Sequence, residues 1–255
     1  MRILTSILIA FFVSTVTFFM TKLWGQSYQY IDYKHSFYEN VQTPVEFKAA
    51  KDVSGLTTLI QSTDPLWINL AITADQKLIV HFSNTEPTMY RNQTWAQLSQ
   101  DQAAGKLILF AEVAEQLKKH KLVLNLTENP MSGPDIILHE MNQLGFSKME
   151  NFIFTGPYEA ALKEIKNKMP AWLFGTTSPE ILKIKAMESL FLIEAAIYRA
   201  DFVIHPLKYY KKEFFTPTLL ADTQRRFKRI IIGPLSNDEI ESAKKLNPFG
   251  IVTVQ

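Results

Sequence analysis

Hydrophobic positions change their period along this chain. From Ile3 to Thr21 they run without a charge; from about residue 45 onward they fall into short β-rich runs separated by stretches with helical spacing. The short runs are "VEFKAA" from Val45, "LWINLAI" from Leu66, "KLIVHF" from Lys77, "LVLNL" from Leu122 and "NFIFTG" from Asn151, then "AWLFG" from Ala171, "DFVIHPL" from Asp201, "RIIIGPL" from Arg229 and "GIVTV" from Gly250. In the second run, alternation puts Trp67, Asn69 and Ala71 on one face and Ile68, Leu70 and Ile72 on the other.

Helical periodicity marks "AEVAEQLKKH" from Ala111, "GPDIILHEMNQLG" from Gly133, "GPYEAALKEIKNKM" from Gly156, "SPEILKIKAMESLFLIEAAIYR" from Ser178 and "SNDEIESAKKL" from Ser236. Pro134, Pro157 and Pro179 sit near the starts, Ser178 and Ser236 are N-cap candidates, and Gly145 closes a helix before the next strand. Apolar strands bounded by helices imply βα units around a buried parallel sheet. With "KLIVHF" as the return arm of a hairpin on the second strand, eight βα strands remain, which predicts an α/β fold, a (β/α)8 TIM-type barrel.

The apolar N-terminal run is close to the length needed to cross a bilayer as a helix. Bulky Lys22, Leu23 and Trp24 follow it, rather than the small residues of a signal-peptidase site, so an uncleaved anchor is expected over residues 1–26. A linker without period follows over 27–43, lying on the domain surface, and the barrel occupies 44–255. Arg2 before the span places the barrel on the extracytoplasmic side of a single-pass membrane protein, and Trp24, Tyr28 and Tyr30 suit an interfacial aromatic belt or plain packing on the domain.

Composition narrows the function. With 47% hydrophobic residues, 20% charged residues and a net charge of +2, the chain is neither disordered nor built for nucleic acid. It has no cysteine, which removes disulfides, thiolate metal sites and a cysteine nucleophile together. The segment "HPLKYYKKEFF" from His205 sets Lys208, Lys211 and Lys212 among aromatics, fit for anionic lipid headgroups or for a solvated loop. Asn-x-Thr triplets begin at Asn92 and Asn125, the second on a strand that would bury it.

The residues "WINLAITADQKLIVHFS" resemble the glycerophosphodiester phosphodiesterase family, whose second strand reads Glu-x-Asp, followed by a Thr-x-Asp-Gly turn and a Val-Val-x-His-Asp run. Thr73, Asp75, Leu78, Ile79 and Val80 keep that frame. "TWAQLSQDQ" from Thr94 is similar to a Thr-x-x-Glu-Leu segment, and "LILFAEVAEQLKKHKLVLNLTENP" from Leu107 to a helix followed by an Asn-Ile-Glu-Ile-Lys strand. "IIIGPLSNDEIESAKKLNPFGIVTVQ" from Ile230 is similar to the family's last two strands with a Trp-Thr-Val-Asn turn between them.

The resemblance implies metal-assisted phosphodiester cleavage with two histidines as acid and base, and carboxylates holding a divalent cation. Residue by residue, the metal-binding Glu and Asp fall on Asn69 and Ala71, the third-strand Glu and Lys on Asn125 and Thr127, and the His-Asp pair on Phe82 and Ser83. The opening His-Arg pair has no counterpart in "VEFKAAKDVSG", and Gly233 replaces the tryptophan of the turn.

His81 lies one position short of the family's histidine and is the candidate acid/base. A one-residue slip that brought it into place would turn the whole apolar set over. Asn69, Asn125, Thr127, Glu128 and His205 are expected to line the pocket. Asn69 and Asn125 would bind a neutral polar ligand or each other; His205 would contact an anion or cap its own loop. Glu128 alone makes no metal site, so no metal or other cofactor is expected, the alternative being calcium or magnesium. The expected function is that of a membrane-anchored pseudoenzyme with a binding or scaffold role, its ligand a lipid headgroup or small polar molecule. The alternative is an active phosphoric diester hydrolase of lipid metabolism with an altered site.

Overall fold

The computed structural model describes residues 2–39, 41–82, 90–128, 133–209 and 211–255. In chain order its strands are β1 (Val45–Ala49), β2 (Leu66–Ile72), β3 (Leu78–His81), β4 (Leu107–Leu109), β5 (Leu122–Leu126), β6 (Phe152–Thr155), β7 (Leu173–Phe174), β8 (Phe202–His205), β9 (Lys208–Tyr209), β10 (Lys212–Glu213), β11 (Arg229–Leu235) and β12 (Gly250–Val254). The helices are α1 (Arg2–Ser27), α2 (Val53–Leu59), α3 (Ser99–Ala103), α4 (Phe110–Leu117), α5 (Gly133–Gln143), α6 (Glu159–Lys168), α7 (Ser178–Ser189), α8 (Pro217–Arg225) and α9 (Ile240–Lys244).

Eight strands run parallel in the order β7-β6-β5-β2-β1-β12-β11-β8. The two ends of that order meet, because Gly175 bridges Phe202 in parallel. Asp201 N donates to Phe174 O at 2.8 Å and Thr176 N to Phe202 O at 2.9 Å. β7 is too short to pair further, and the Thr176 side chain takes over. Its Oγ1 accepts from Ile204 N at 3.0 Å and donates to Ile204 O at 3.1 Å. The result is the expected TIM-type (β/α)8 barrel, with β3 and β4 as an antiparallel extension on β2.

Alternation sorts the core into layers. Phe47, Trp67, Val123, Ile153, Leu173, Ile231 and Val252 fill the barrel interior. Ile68, Leu70 and Ile72 face outward into a cluster closed by Leu56 and Leu59 of α2, Phe110 and Leu117 of α4, Ile137 and Met141 of α5 and Ile165 of α6. Ile181 and Ile184 of α7, Leu219 of α8 and Ala243 of α9 cover Val203, Ile230, Ile232 and Ile251. Burying such side chains contributes about 1.5–3 kcal/mol each, so the two-layer pattern is the main stabilising term.

Four expectations need correction. The linker does more than lie on the surface: Phe37 is buried with Phe202 and Phe249 at 6.1 and 6.2 Å and floors the barrel. The helix expected from Ser178 to Arg199 stops at Ser189, because Phe191 takes a left-handed φ of 57° and Ile193, Ala196 and Tyr198 turn into the core. Its N-cap is Thr177, whose side chain accepts from Glu180 N, not Ser178; the helix expected from Ser236 forms only over Ile240–Lys244.

α1 contains an apolar span, Thr5–Ser27, of 23 residues. At 1.5 Å per residue it is about 35 Å long, sufficient for a bilayer's hydrocarbon core.

The seam generates a prediction. Thr176→Val keeps the shape but leaves the amide and carbonyl of Ile204 without their side-chain partner, which should cost about 1–3 kcal/mol in denaturant unfolding. Thr176→Ser should restore most of that loss; equal stability of all three would show that the seam does not depend on this hydroxyl.

Candidate active site and its hydrogen bonds

Parallel pairing of β2 with β5 sets Asn69 opposite Asn125 at the C-terminal end of the barrel. Asn125 Nδ2 donates to Asn69 Oδ1 at 2.8 Å, and Trp67 Nε1 donates to the same oxygen at 2.9 Å. The amide acceptor of Asn69 is therefore used twice inside the protein. Beside it, Trp67, Asn125, Thr155, Thr176, Ile204, His205 and Tyr209 border a cavity of about 480 Å³. None of these carries a carboxylate or an ammonium group.

Ala71, where the resemblance puts the second carboxylate, is fully buried beneath the β3–β4 extension with Ile79, Tyr90, Leu98 and Leu107. An apolar cluster occupies the space that a ligating carboxylate would need. The β2–β3 pairing is regular, with Asn69 opposite His81 and Ala71 opposite Ile79. His81 therefore shares the face of Asn69, whereas Phe82 packs on the outer cluster. Ser83 lies outside the described residues.

His81 is 5% exposed, with the Tyr90 ring 5.2 Å away. Its Nε2 is 2.7 Å from Thr127 Oγ1, and that hydroxyl donates to Leu70 O at 3.0 Å. Since the threonine proton is spent on Leu70, His81 Nε2 must be the donor, which fixes the neutral tautomer with a bare Nδ1. Nδ1 is buried and finds no partner among the described residues. Protonating it would bury a charge with no acceptor, and burial lowers the His81 pKa from 6.5 to about 4.

Glu128 is also committed. Its Oε1 accepts from Tyr90 N at 2.7 Å and its Oε2 from Arg91 N at 2.9 Å. Burial raises its pKa, opposed by those two amides and by the Arg91 charge. The carboxylate clamps the turn over His81. His205 stacks on Phe214 at 3.9 Å and donates from Nδ1 to Pro206 O at 2.8 Å; burial lowers its pKa, and Lys185 adds to that.

The residues expected to share a pocket are thus divided. Asn125 and His205 line the cavity, Asn69 supports Asn125, and Thr127 and Glu128 serve the β3 extension. Thr155 and Thr176 were missed. Thr155 shares the inward parity of Ile153, so its place was readable, whereas Thr176 is set by the seam. Among the described residues no three His, Asp or Glu side chains gather as a metal-binding group. Hard cations need several free oxygen ligands, with negative charge among them, and this donor set does not fit one.

No protein-family model matches the chain, and no curated protein does. Its fold, however, matches solved glycerophosphodiester phosphodiesterases. That from Parabacteroides distasonis superposes with a TM-score of 0.61 at 14% identity, covering 83% of this chain and 94% of that one. The putative glycerophosphoryl diester phosphodiesterase from Silicibacter pomeroyi gives 0.60 at 13%, covering 84% and 91%. A phosphodiesterase from Oleispira antarctica, solved with the product sn-glycerol-3-phosphate, gives 0.57 at 13%, covering 82% and 92%. The chain therefore has the glycerophosphodiester phosphodiesterase fold.

His81 sets a pH dependence. Its folded pKa lies below the unfolded value, so the unfolded chain takes up the proton first as pH falls. The corresponding stability is fully present above pH 6.5 and is lost on the way down through pH 4, amounting to about 3 kcal/mol. Urea unfolding of the full chain at pH 7, 5.5 and 4 should show this slope, and His81→Gln should flatten it. An unchanged slope in the variant would contradict a buried neutral imidazole.

Proposed function

We propose that this chain is a membrane-anchored barrel that binds a small polar ligand and does not hydrolyse phosphodiesters. The two hydrogen bonds that Asn69 Oδ1 accepts from Trp67 and Asn125 carry the reading, because they tie up the acceptor at the position where the resemblance puts a metal-binding carboxylate. Cleavage of a phosphodiester needs its charge neutralised and its leaving alkoxide protonated, and losing either costs several orders of magnitude in rate. Around the cavity the polar groups are amide, hydroxyl and imidazole. Lys208, next to cavity-lining Tyr209, is held 3.2 Å from Glu239. Such a lining suits the hydroxyls of a polyol or of a neutral part of a lipid headgroup better than a phosphate.

α1 supplies the anchor in this reading. Arg2 precedes the span, so the barrel stands on the extracytoplasmic side. The chain should stay with membranes through an alkaline carbonate wash, and protease added outside intact cells or spheroplasts should digest the barrel. A shortened, freely soluble form would mean that the segment is a cleaved signal; full protection would reverse the orientation.

The activity test uses the purified full chain in detergent. Glycerophosphodiester hydrolysis should not exceed the blank with or without calcium or magnesium, and Asn69→Glu should not create it, since Ala71, Phe82 and Asn125 are unchanged. Metal-dependent turnover that disappears in His81→Ala would overturn the binding role and make His81 the acid/base.

A further inference from the structure

Two helices of this barrel end in an unusual way. α7 and α8 are each followed, two residues past their last helical position, by a phenylalanine in the left-handed region, Phe191 at φ 57° and Phe227 at φ 55°. Glycine usually takes that position, since a bulky side chain is strained there. Neither ring is rewarded by burial: Phe191 is 75% exposed and Phe227 48%. Leu190 and Ile197 in the same α7–β8 connection are 59% and 63% exposed.

These connections lead into β8 and β11 at the N-terminal end of the barrel, opposite the cavity. The C-terminal end of α1 docks on the same end. A Cβ on Gly25 would lie 2.4 Å from the Glu194 backbone, so the helix approaches that turn as closely as only glycine permits. Arg225 Nη1 donates to Gly25 O at 3.1 Å, and Lys22 Nζ lies 3.7 Å from Glu194. Beyond this contact the apolar span has no burial in the protein.

We propose that Leu190, Phe191, Ile197 and Phe227 form a second membrane contact, inserted at the headgroup–acyl boundary of the bilayer that α1 crosses. This rests on the anchor reading above. The occupant follows from continuity: Glu194 and Arg225, which hold the end of the span, lie between or next to the exposed residues in sequence, so a bilayer around α1 meets this face. Apolar side chains at that depth gain burial that they lack in the isolated chain. The consequence is orientation: the barrel stands on its N-terminal end with the cavity turned away from its own membrane. A ligand then arrives from the aqueous side, and the lysines of the β9–β10 hairpin, at the cavity end, do not touch that bilayer.

The absence of cysteine makes the test direct, because each introduced cysteine is the only one. Nitroxide labels are attached to Phe191→Cys, Ile197→Cys, Phe12→Cys and Lys212→Cys in the full chain, reconstituted in vesicles of phosphatidylcholine and phosphatidylglycerol. Collision with oxygen, which concentrates in lipid, is compared with collision with an aqueous nickel chelate. Labels at Phe191 and Ile197 should favour oxygen, as at Phe12, and the Lys212 label should favour nickel. If the Phe191 and Ile197 labels behave like Lys212 while Phe12 stays in lipid, the second contact is wrong and the anchor stands. A Phe12 label in water overturns both. Shielding from both reagents that grows with protein density would assign the face to a second copy of the chain and overturn the membrane contact.

Discussion

The structure depends on how the parallel sheet closes. An open edge at β7 would leave backbone groups of β8 unpaired, and β7 has only Leu173 and Phe174 in ladder geometry. Gly175 and Thr176 complete the ring. Gly175 is needed because a Cβ there would meet Thr155 Oγ1 at 2.5 Å and Ile204 Cδ1 at 2.6 Å, and Thr176 bonds both polar backbone groups of Ile204. Once the ring is closed, strand alternation has one meaning throughout: one parity fills the interior, and the other meets the helices. That same parity delivers Trp67, Asn69, Asn125 and Thr155 to one end.

What stands at that end is a neutral network of internal hydrogen bonds. Trp67 and Asn125 converge on Asn69, and His81 donates through Thr127 to Leu70. The nearby carboxylates hold protein backbone: Glu128 binds the amides of Tyr90 and Arg91, and Asp75 accepts from Trp95 N at 2.9 Å. A buried carboxylate with two amide donors is stable where it is, and a cation would have to break those bonds before it gained a ligand. The likeness to solved phosphodiesterases is one of fold, and function has to be argued from the site.

Much of this was legible in the chain. The strands of the barrel were visible as apolar runs, and alternation in "LWINLAI" put Asn69 on the face opposite Ile68, Leu70 and Ile72; the structure turns the first face into the barrel and the second out to the helices. β4 was hidden because Leu107–Leu109 merge with the apolar start of α4. α2 was hidden because Gly55, Thr57 and Thr58 weaken its helical signal, although Asp52 caps it. α8 carries start signals in its Thr216 cap and Pro217 but has only nine residues, Pro217–Arg225, to show a period. The overrun of α7 has a different cause: "LFLIEAAIYR" is apolar nearly all round, so periodicity gives no stop, and only tertiary packing selects Ile193 and Tyr198 for the core. At the site, the residue types could be read, but the partners of His81 and Glu128 depend on long-range contacts that no spacing encodes.

The proposed function turns on whether this cavity end holds a divalent cation. Binding to the folded state alone raises stability by RT ln(1 + [L]/Kd), about 2.7 kcal/mol when the ligand is at a hundred times its Kd. The direct measurement is the thermal unfolding midpoint of the full chain in detergent, titrated with calcium and, separately, magnesium into the millimolar range. The account predicts no saturable rise beyond that produced by an equal ionic strength of sodium chloride. A saturable rise that Glu128→Gln abolishes would contradict it, showing a metal site rebuilt around the carboxylate assigned here to holding a loop.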